Sequence, residues 1–260
     1  MELISLEGVT KSYQSKGESV TALHPTDLSI GDREFVTVLG PSGSGKSTLL
    51  SILGAMNSPT AGRLVVDGID VYSLPEERRA DFRREYVGFV FQQLQLIPYL
   101  SARQNVMLPL VVTGMTRKGQ VRLADTALGS VGLRGKESRL PSELSGGEQQ
   151  RVAIARAIVN DPPVVLLDEA TGNLDSRTGE SIMDLLAGLR DMGHTLILVT
   201  HNPKNCRYSD RVLEMSDGRV VASRVSQTTE EVGQDSCFGE AGFRLGAKGK
   251  THSENNHPQP

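Results

Sequence analysis

The chain has 260 residues, with 28 Lys and Arg against 31 Asp and Glu for a net charge of −3, 38% hydrophobic residues, 4% aromatics and no tryptophan. A single core is within reach, because domains run to roughly 250 residues before they usually split, and disorder throughout is excluded. The near-neutral balance lacks the clustered positive charge on which non-specific nucleic-acid binding depends, and no nucleic-acid partner is expected.

No apolar run reaches the roughly 18 residues of a membrane-crossing helix; the most apolar stretches are Val164 to Leu167 and Thr195 to Val199. The opening Met1-Glu2-Leu3-Ile4-Ser5-Leu6 has neither the basic start nor the long apolar stretch of a secretion signal, which predicts a cytoplasmic protein. Cys206 and Cys237, the only two cysteines, are too few for a disulfide framework and read as reduced bystanders.

Taken in chain order, β-branched or alternating runs predict strands at Leu3 to Val9, Glu34 to Leu39, Arg63 to Val66 and Val87 to Phe91. Asp67-Gly68 and Asp217-Gly218, each between apolar runs, predict hairpin turns. Ser73-Leu74-Pro75-Glu76 and Ser101-Ala102-Arg103-Gln104 carry the Ser-to-Glu/Gln spacing of a capped helix start, and a third helix is expected near Gln120 to Val131. From Ser145 onward the pattern is helix, strand, helix, strand: Gly147 to Val159, Val164 to Leu167, Ser176 to Arg190 and Thr195 to Val199. Helices alternating with wholly apolar strands predict a parallel sheet covered on both faces. The stretch 72–141 reads as a helical insert, and 224–260, poor in large apolar residues, as a polar and disordered tail following a cassette over 1–223.

The chemistry concentrates in three segments. Gly40-Pro41-Ser42-Gly43-Ser44-Gly45-Lys46-Ser47, followed by Thr48, stands between a predicted strand and a predicted helix, the setting of a phosphate loop. There backbone N–H groups and a helix N-terminus can wrap phosphate oxygens, Lys46 can reach the β and γ phosphates, and Ser47 can hold Mg²⁺. Val164-Val165-Leu166-Leu167-Asp168-Glu169 is a buried strand ending in two carboxylates, where Asp168 suits a metal shell and Glu169 an attacking water. Leu144-Ser145-Gly146-Gly147-Glu148-Gln149 combines a capping box with two glycines that expose free helix N–H groups, a second anion cradle without a lysine. One chain with two cradles suggests a two-fold assembly in which each nucleotide lies between the cradles of two copies.

In this order the motifs resemble the nucleotide-binding subunit of ABC transporters, from about Leu3 to Ser223. The resemblance implies an α/β fold: a P-loop NTPase core with a mostly parallel sheet, an N-terminal antiparallel β subdomain and an inserted helical subdomain. It makes Tyr13 the aromatic against adenine, with Val20 its neighbour. Gln92 becomes the glutamine that senses Mg²⁺ and faces the membrane subunit, and Gln93 beside it leaves the register open by one. Ser145, Gly146, Gly147 and Glu148 become the signature, Asp168 and Glu169 the Walker B pair, Asp175 the D-loop aspartate and His201 the switch histidine. Glu169, His201 and Lys46 are then the catalytic residues, and Ser47, Gln92 and Asp168 the metal ligands.

The resemblance further implies ATP and Mg²⁺, a second copy of the chain, and separate permease subunits that hold it at the cytoplasmic face of the inner membrane. Thr171-Gly172-Asn173-Leu174-Asp175 is similar to the lipoprotein-releasing, macrolide-export and peptide-resistance subgroup, with Ala170 where proline is common. Rival expectations are a non-transport complex regulating cell-wall hydrolases, a soluble ABC ATPase of DNA repair or translation, and an inactive ATP-binding subunit.

Overall fold

The computed structural model of the chain describes residues 1–15, 18–172 and 174–226. Its elements are β1 (Glu2–Ser15), β2 (Glu18–Gly31), β3 (Phe35–Leu39), α1 (Lys46–Leu53), β4 (Ala61–Val66), β5 (Ile69–Asp70), α2 (Glu76–Tyr86), β6 (Val87–Val90), α3 (Ala102–Met107), α4 (Arg117–Ser130), α5 (Gly146–Ile158), β7 (Val164–Asp168), α6 (Ser176–Asp191), β8 (Thr195–Thr200), β9 (Arg211–Ser216) and β10 (Arg219–Val225). The tail expected over 224–260 begins inside β10, and beyond 226 it lies outside the described residues.

Two sheets organise these elements. The smaller, in the order β2-β1-β4-β5, is antiparallel throughout. The larger, β10-β9-β3-β8-β7-β6, is parallel from β9 to β6, with only β10 antiparallel at its edge. The apolar strands of this sheet are explained by what covers them. Along β7, Val165 and Leu167 join one hydrophobic core with α3 to α6, while Val164 and Leu166 join a second core with α1 and the antiparallel sheet. Along β8, Leu196 and Leu198 face the first core and Ile197 and Val199 the second. A strand with period-two side chains and both faces buried reads as a near-continuous apolar run, and in β8 the buried Thr195 and Thr200 stand only at its two ends.

The two Asp-Gly turns form as expected, with φ of 50° and 74° at Asp67 and Gly68 and 48° and 72° at Asp217 and Gly218. Two expectations are corrected. Ser73 does not cap α2: its hydroxyl donates back to Asp70 O at 2.8 Å within a short 3₁₀ turn, and Pro75, whose ring carries no hydrogen-bonding group, occupies the cap position. The helical insert over 72–141 is also narrower than expected. Phe82 of α2 is buried in the core shared with α1, and β6 joins the parallel sheet beside β7, so the separate helical layer begins at α3.

That layer is tied to the sheet edge by Asn105, fully buried on α3. Its amide Nδ2 donates to the carbonyls of Ile97, Leu100 and Ser101 at 2.9 to 3.1 Å, and its Oδ1 accepts from Ile97 N at 2.8 Å. These bonds fold the segment after β6 onto α3, whose start is capped by the predicted Ser101–Gln104 box. Replacing Asn105 with Ala removes the side-chain partner of four part-buried backbone groups, of which Ile97 O and Ser101 O keep backbone donors in Leu100 N and Asn105 N, at about 1–3 kcal/mol for an unsatisfied group. Urea unfolding of Asn105→Ala is therefore expected to show a loss of about 1–3 kcal/mol with an unchanged denaturant slope.

Candidate functional site

The parallel register brings the functional segments to one edge. Leu39 pairs with Thr200, Asp168 with Val199, and Val90 with Leu167. The residues that follow β3, β8, β7 and β6, namely Gly40, His201, Glu169 and the Gln92 bend, thus emerge side by side at the carboxyl ends of four neighbouring strands, where open α/β sheets bind ligands.

The loop from Gly40 to Gly45 turns tightly because its glycines face backbone. A Cβ on Gly40 would stand 2.3 Å from Met215 O, and one on Gly45, whose φ is 94°, 2.4 Å from Ala22 O. Pro41, Ser42 and Gly43 are exposed, Ser44 is buried, and Thr48 lies within the first turn of α1. Lys46, the first residue of α1, is buried and folds back over the loop, its Nζ donating to Gly40 O at 2.8 Å and Pro41 O at 2.7 Å. Burial pulls its ammonium below the usual lysine range, and the Glu169 and Asp168 carboxylates oppose that shift. A desolvated cation beside a helix N-terminus that carries no acidic residue in its first turn is suited to a polyanion.

Asp168 closes β7, and Ser47 Oγ lies 3.5 Å from its Oδ1. Burial, and then the neighbouring Glu169 charge, raise the Asp168 carboxyl above the usual range. A carboxylate under that strain beside a hydroxyl offers hard oxygen ligands to a divalent cation. Among the described residues no group of three or more His, Cys, Asp or Glu forms a cage. A hydroxyl and one carboxylate fit Mg²⁺, which keeps waters and substrate phosphates for its remaining positions.

Glu169 leaves the strand abruptly, with φ of 52°. Its N–H donates to Val199 O at 3.0 Å, which holds this unfavourable backbone in place. The carboxylate is gripped from β8: His201 Nδ1 lies 2.8 Å from Oε1, and the Thr200 hydroxyl donates to Oε2 at 3.3 Å. Glu169 is largely enclosed while the His201 side chain is 66% exposed, so the imidazole's far edge faces solvent. Thr200 in turn accepts from Asn202 N and from Asn205 Nδ2. Sequence reading placed Thr200 only at a strand end. Its role in orienting Glu169 depends on strand pairing and has no local signature.

Tyr13 and Val20 are direct partners across β1 and β2, and both are exposed. Asn57 Nδ2 donates to Tyr13 Oη at 2.7 Å, which anchors the exposed ring, and Lys11 Nζ lies over it 5.2 Å from its centroid. Gln92 and Gln93 are both exposed in the bend after β6. Arg156, at the end of α5, donates to Leu94 O at 2.6 Å and Gln95 O at 2.7 Å, a tie from α5 to this bend that sequence reading missed.

At the other end of α5, Ser145 and Glu148 form both bonds of the expected capping box. Lys136 adds an ion pair to Glu148, and that pair, followed by the Ser145 N–H, holds the Glu148 carboxyl below its usual range. Asp175 caps α6 by accepting from Thr178 N at 3.0 Å. Among the described residues, no hydrogen bond or ion pair links Ser145, Gly146, Gly147 or Asp175 to the phosphate loop. The structure therefore gathers Lys46, Ser47, Asp168, Glu169 and His201, and Ser145, Gly146 and Gly147 make no hydrogen bond or ion pair with them among the described residues.

A parallel sheet with a phosphate loop after one strand and paired carboxylates after another defines a P-loop nucleotide hydrolase. The family model described as ABC transporter matches residues 23–172, and the chain belongs to that family. It is 45% identical over 225 residues to the uncharacterized ABC transporter ATP-binding protein YknY of Bacillus subtilis, covering 86% of this chain and 98% of YknY. It is 42% identical over 224 residues to the macrolide export ATP-binding/permease protein MacB of Vibrio parahaemolyticus, covering 86% of this chain but only 34% of MacB, so it spans about a third of that relative. Among solved structures, the dimeric ATP-binding cassette MJ0796 in a post-hydrolysis state with ADP and Pi matches at 40% identity and a TM-score of 0.80, covering 87% of this chain and all of that one. The chain is an ABC ATPase cassette that binds and hydrolyses ATP.

The raised Asp168 carboxyl has a consequence for stability. Its folded-state pKa lies above the unfolded value, so its ionised form weakens the nucleotide-free fold at neutral pH, and that penalty disappears as pH falls through the raised pKa. Asp168→Asn is expected to raise the melting temperature of the nucleotide-free chain at pH 7 and to weaken Mg²⁺-dependent ATP binding, readable by thermal melts and nucleotide titration.

Proposed function

We propose that the chain is the motor subunit of a membrane transporter, two copies of which close head to tail around two Mg-ATP and drive a separate permease. The observation that carries this reading is that one chain holds two anion cradles, at the starts of α1 and α5, with no polar contact between them among the described residues. The phosphate loop and the Ser145 to Gly147 segment belong to one chain, follow different elements, and share no hydrogen bond or ion pair among the described residues, so a second copy would supply the missing half of each site. The dimeric state of the MJ0796 cassette supports the same arrangement. A separate permease agrees with the match to 98% of YknY, which is named only as an ATP-binding protein. No helix among the described residues is long and apolar enough to cross a membrane.

In this mechanism Tyr13 and Val20 receive the adenine end. Gly40, Pro41, Ser42, Gly43, Ser44, Gly45 and Thr48 frame the phosphates with backbone N–H groups, and Lys46 meets the charge on the β and γ oxygens. Ser47 and Asp168, with Gln92 at the rim, would hold Mg²⁺, which when bound neutralises charge on the transferred phosphoryl group. Glu169, oriented by Thr200 and His201, takes a proton from the water that attacks the γ-phosphorus. The bond from the γ-phosphorus to the β–γ bridging oxygen breaks, and ADP departs with its new negative charge against Lys46. His201 turns its exposed edge toward the γ-phosphate, while Ser145, Gly146, Gly147 and Glu148 of the other copy close over it and Asp175 lies along the seam.

Motion would pass to the permease through the bend after β6. A cavity of about 350 Å³ opens alongside β6, between α2, β6 and α5, lined by Arg84, Val87, Phe89, Val112 and by Arg156, which also bonds the bend. Val111 and Val112 beside it are exposed apolar side chains. Docking at this groove would hold the cassette at the cytoplasmic face of the inner membrane. The likeness to MacB supports the export and lipoprotein-release subgroup over the other readings.

Glu169→Gln is expected to lower ATP hydrolysis by at least about 100-fold, the contribution of a positioned general base, while leaving ATP binding intact and producing an ATP-dependent dimer on gel filtration. Near-normal phosphate release by this variant would remove Glu169 from its role. Lys46→Ala is expected instead to weaken ATP binding itself, measured by equilibrium titration with a fluorescent ATP analogue.

A further inference from the structure

Gly147, the second residue of α5, is buried, and a Cβ there would stand 2.4 Å from Thr178 Cγ2, far inside any real contact. Thr178 cannot swing its methyl aside freely. Its N–H donates to Asp175 Oδ1 at 3.0 Å, and its hydroxyl, beside the same carboxyl, helps hold that group below the usual carboxylate range. The helices cannot easily part to make room either. One turn along α5, Arg151 donates to Ser181 Oγ of α6 at 2.8 Å and to Val131 O at 2.7 Å. Gly146 lies against the same loop, with Leu174 Cδ2 at 3.7 Å from its would-be Cβ.

We infer that Thr178 is a positioning residue: with its methyl seated on Gly147 and its hydroxyl on Asp175, it fixes the loop before α6 to the signature segment of the same chain. The absent side chain at Gly147 thus serves packing within one copy, in addition to leaving helix N–H groups open. The consequence for the composite site rests on the proposed head-to-tail dimer. There, the signature and the Asp175 loop would approach the partner as one body, and neither could shift alone.

The experiment is a double-mutant cycle on the full chain. Gly147→Ala is expected to lower the melting temperature of the nucleotide-free protein by several degrees, Thr178→Ser to change it little, and the combination to recover most of the loss because the clashing methyl is gone. In a Glu169→Gln background, Gly147→Ala should raise the ATP concentration needed for dimerisation by about tenfold, with Thr178→Ser restoring it. Thr178→Val, which keeps a methyl but loses the bond to Asp175, should weaken dimerisation and not be rescued by Gly147→Ala. If Gly147→Ala melts like the parent, or if Thr178→Ser fails to recover its melting temperature, the seat is not where the glycine acts and the inference is overturned. If melting follows the cycle but Glu169→Gln alone never dimerises with ATP, the packing stands and the head-to-tail reading falls.

Discussion

The structure depends on the position of one strand. β8, buried along its whole length, runs parallel between β3 and β7, with Leu39 opposite Thr200 and Asp168 opposite Val199. A slip of one residue would turn each side chain of this strand to the opposite face and unmake both cores. The apolar packing that fixes the register therefore also fixes, within a fraction of a residue, where the phosphate loop, the carboxylate pair and His201 stand relative to one another. Alignment of these groups is a by-product of hydrophobic registration, and it requires no polar contact among their side chains to establish it.

Given that frame, the local polar contacts have narrow tasks. Glu169 is turned out of its strand at a positive φ and secured by one backbone bond to Val199, and its carboxylate is then aimed from β8 by Thr200 and His201. Lys46 is kept against its own loop by two carbonyls. Both arrangements hold a reactive group under cost: an unfavourable backbone in one case, a desolvated ammonium in the other. The cost is supported by the two cores on either side of the sheet.

Much of this was legible in the residues because the responsible forces are local. The glycine spacing from Gly40 to Gly45, the Ser101 and Ser145 capping boxes, the Asp-Gly turns and the apolar runs ending in Asp168 and Thr200 each state their structure within a few positions. What was not legible depends on partners distant in sequence. Ser73 carried the spacing of a cap, but Asp70 captured its hydroxyl first. β6 is four residues long and set among helices, and only its pairing with β7 makes it part of the sheet. The reason Gly40 must be glycine is Met215, and the reason Gly147 must be is Thr178; neither neighbour can be found by looking along the chain.

The hairpin joining β9 to β10 shows what such distant pairing entails. Met215 O closes over Gly40, Gly218 N donates to Ser44 O at 3.1 Å, and His24 N donates to Gly218 O at 2.8 Å. The phosphate loop, encoded near the start of the chain, therefore rests on a ledge made of residues translated some 170 positions later. During synthesis the loop would emerge early and wait, without its supporting floor, until the last strands left the ribosome. Loop closure over such a separation is slow compared with local helix formation. The order of assembly thus delays a finished nucleotide pocket until the cassette is nearly complete, and a nascent fragment would have little hold on ATP.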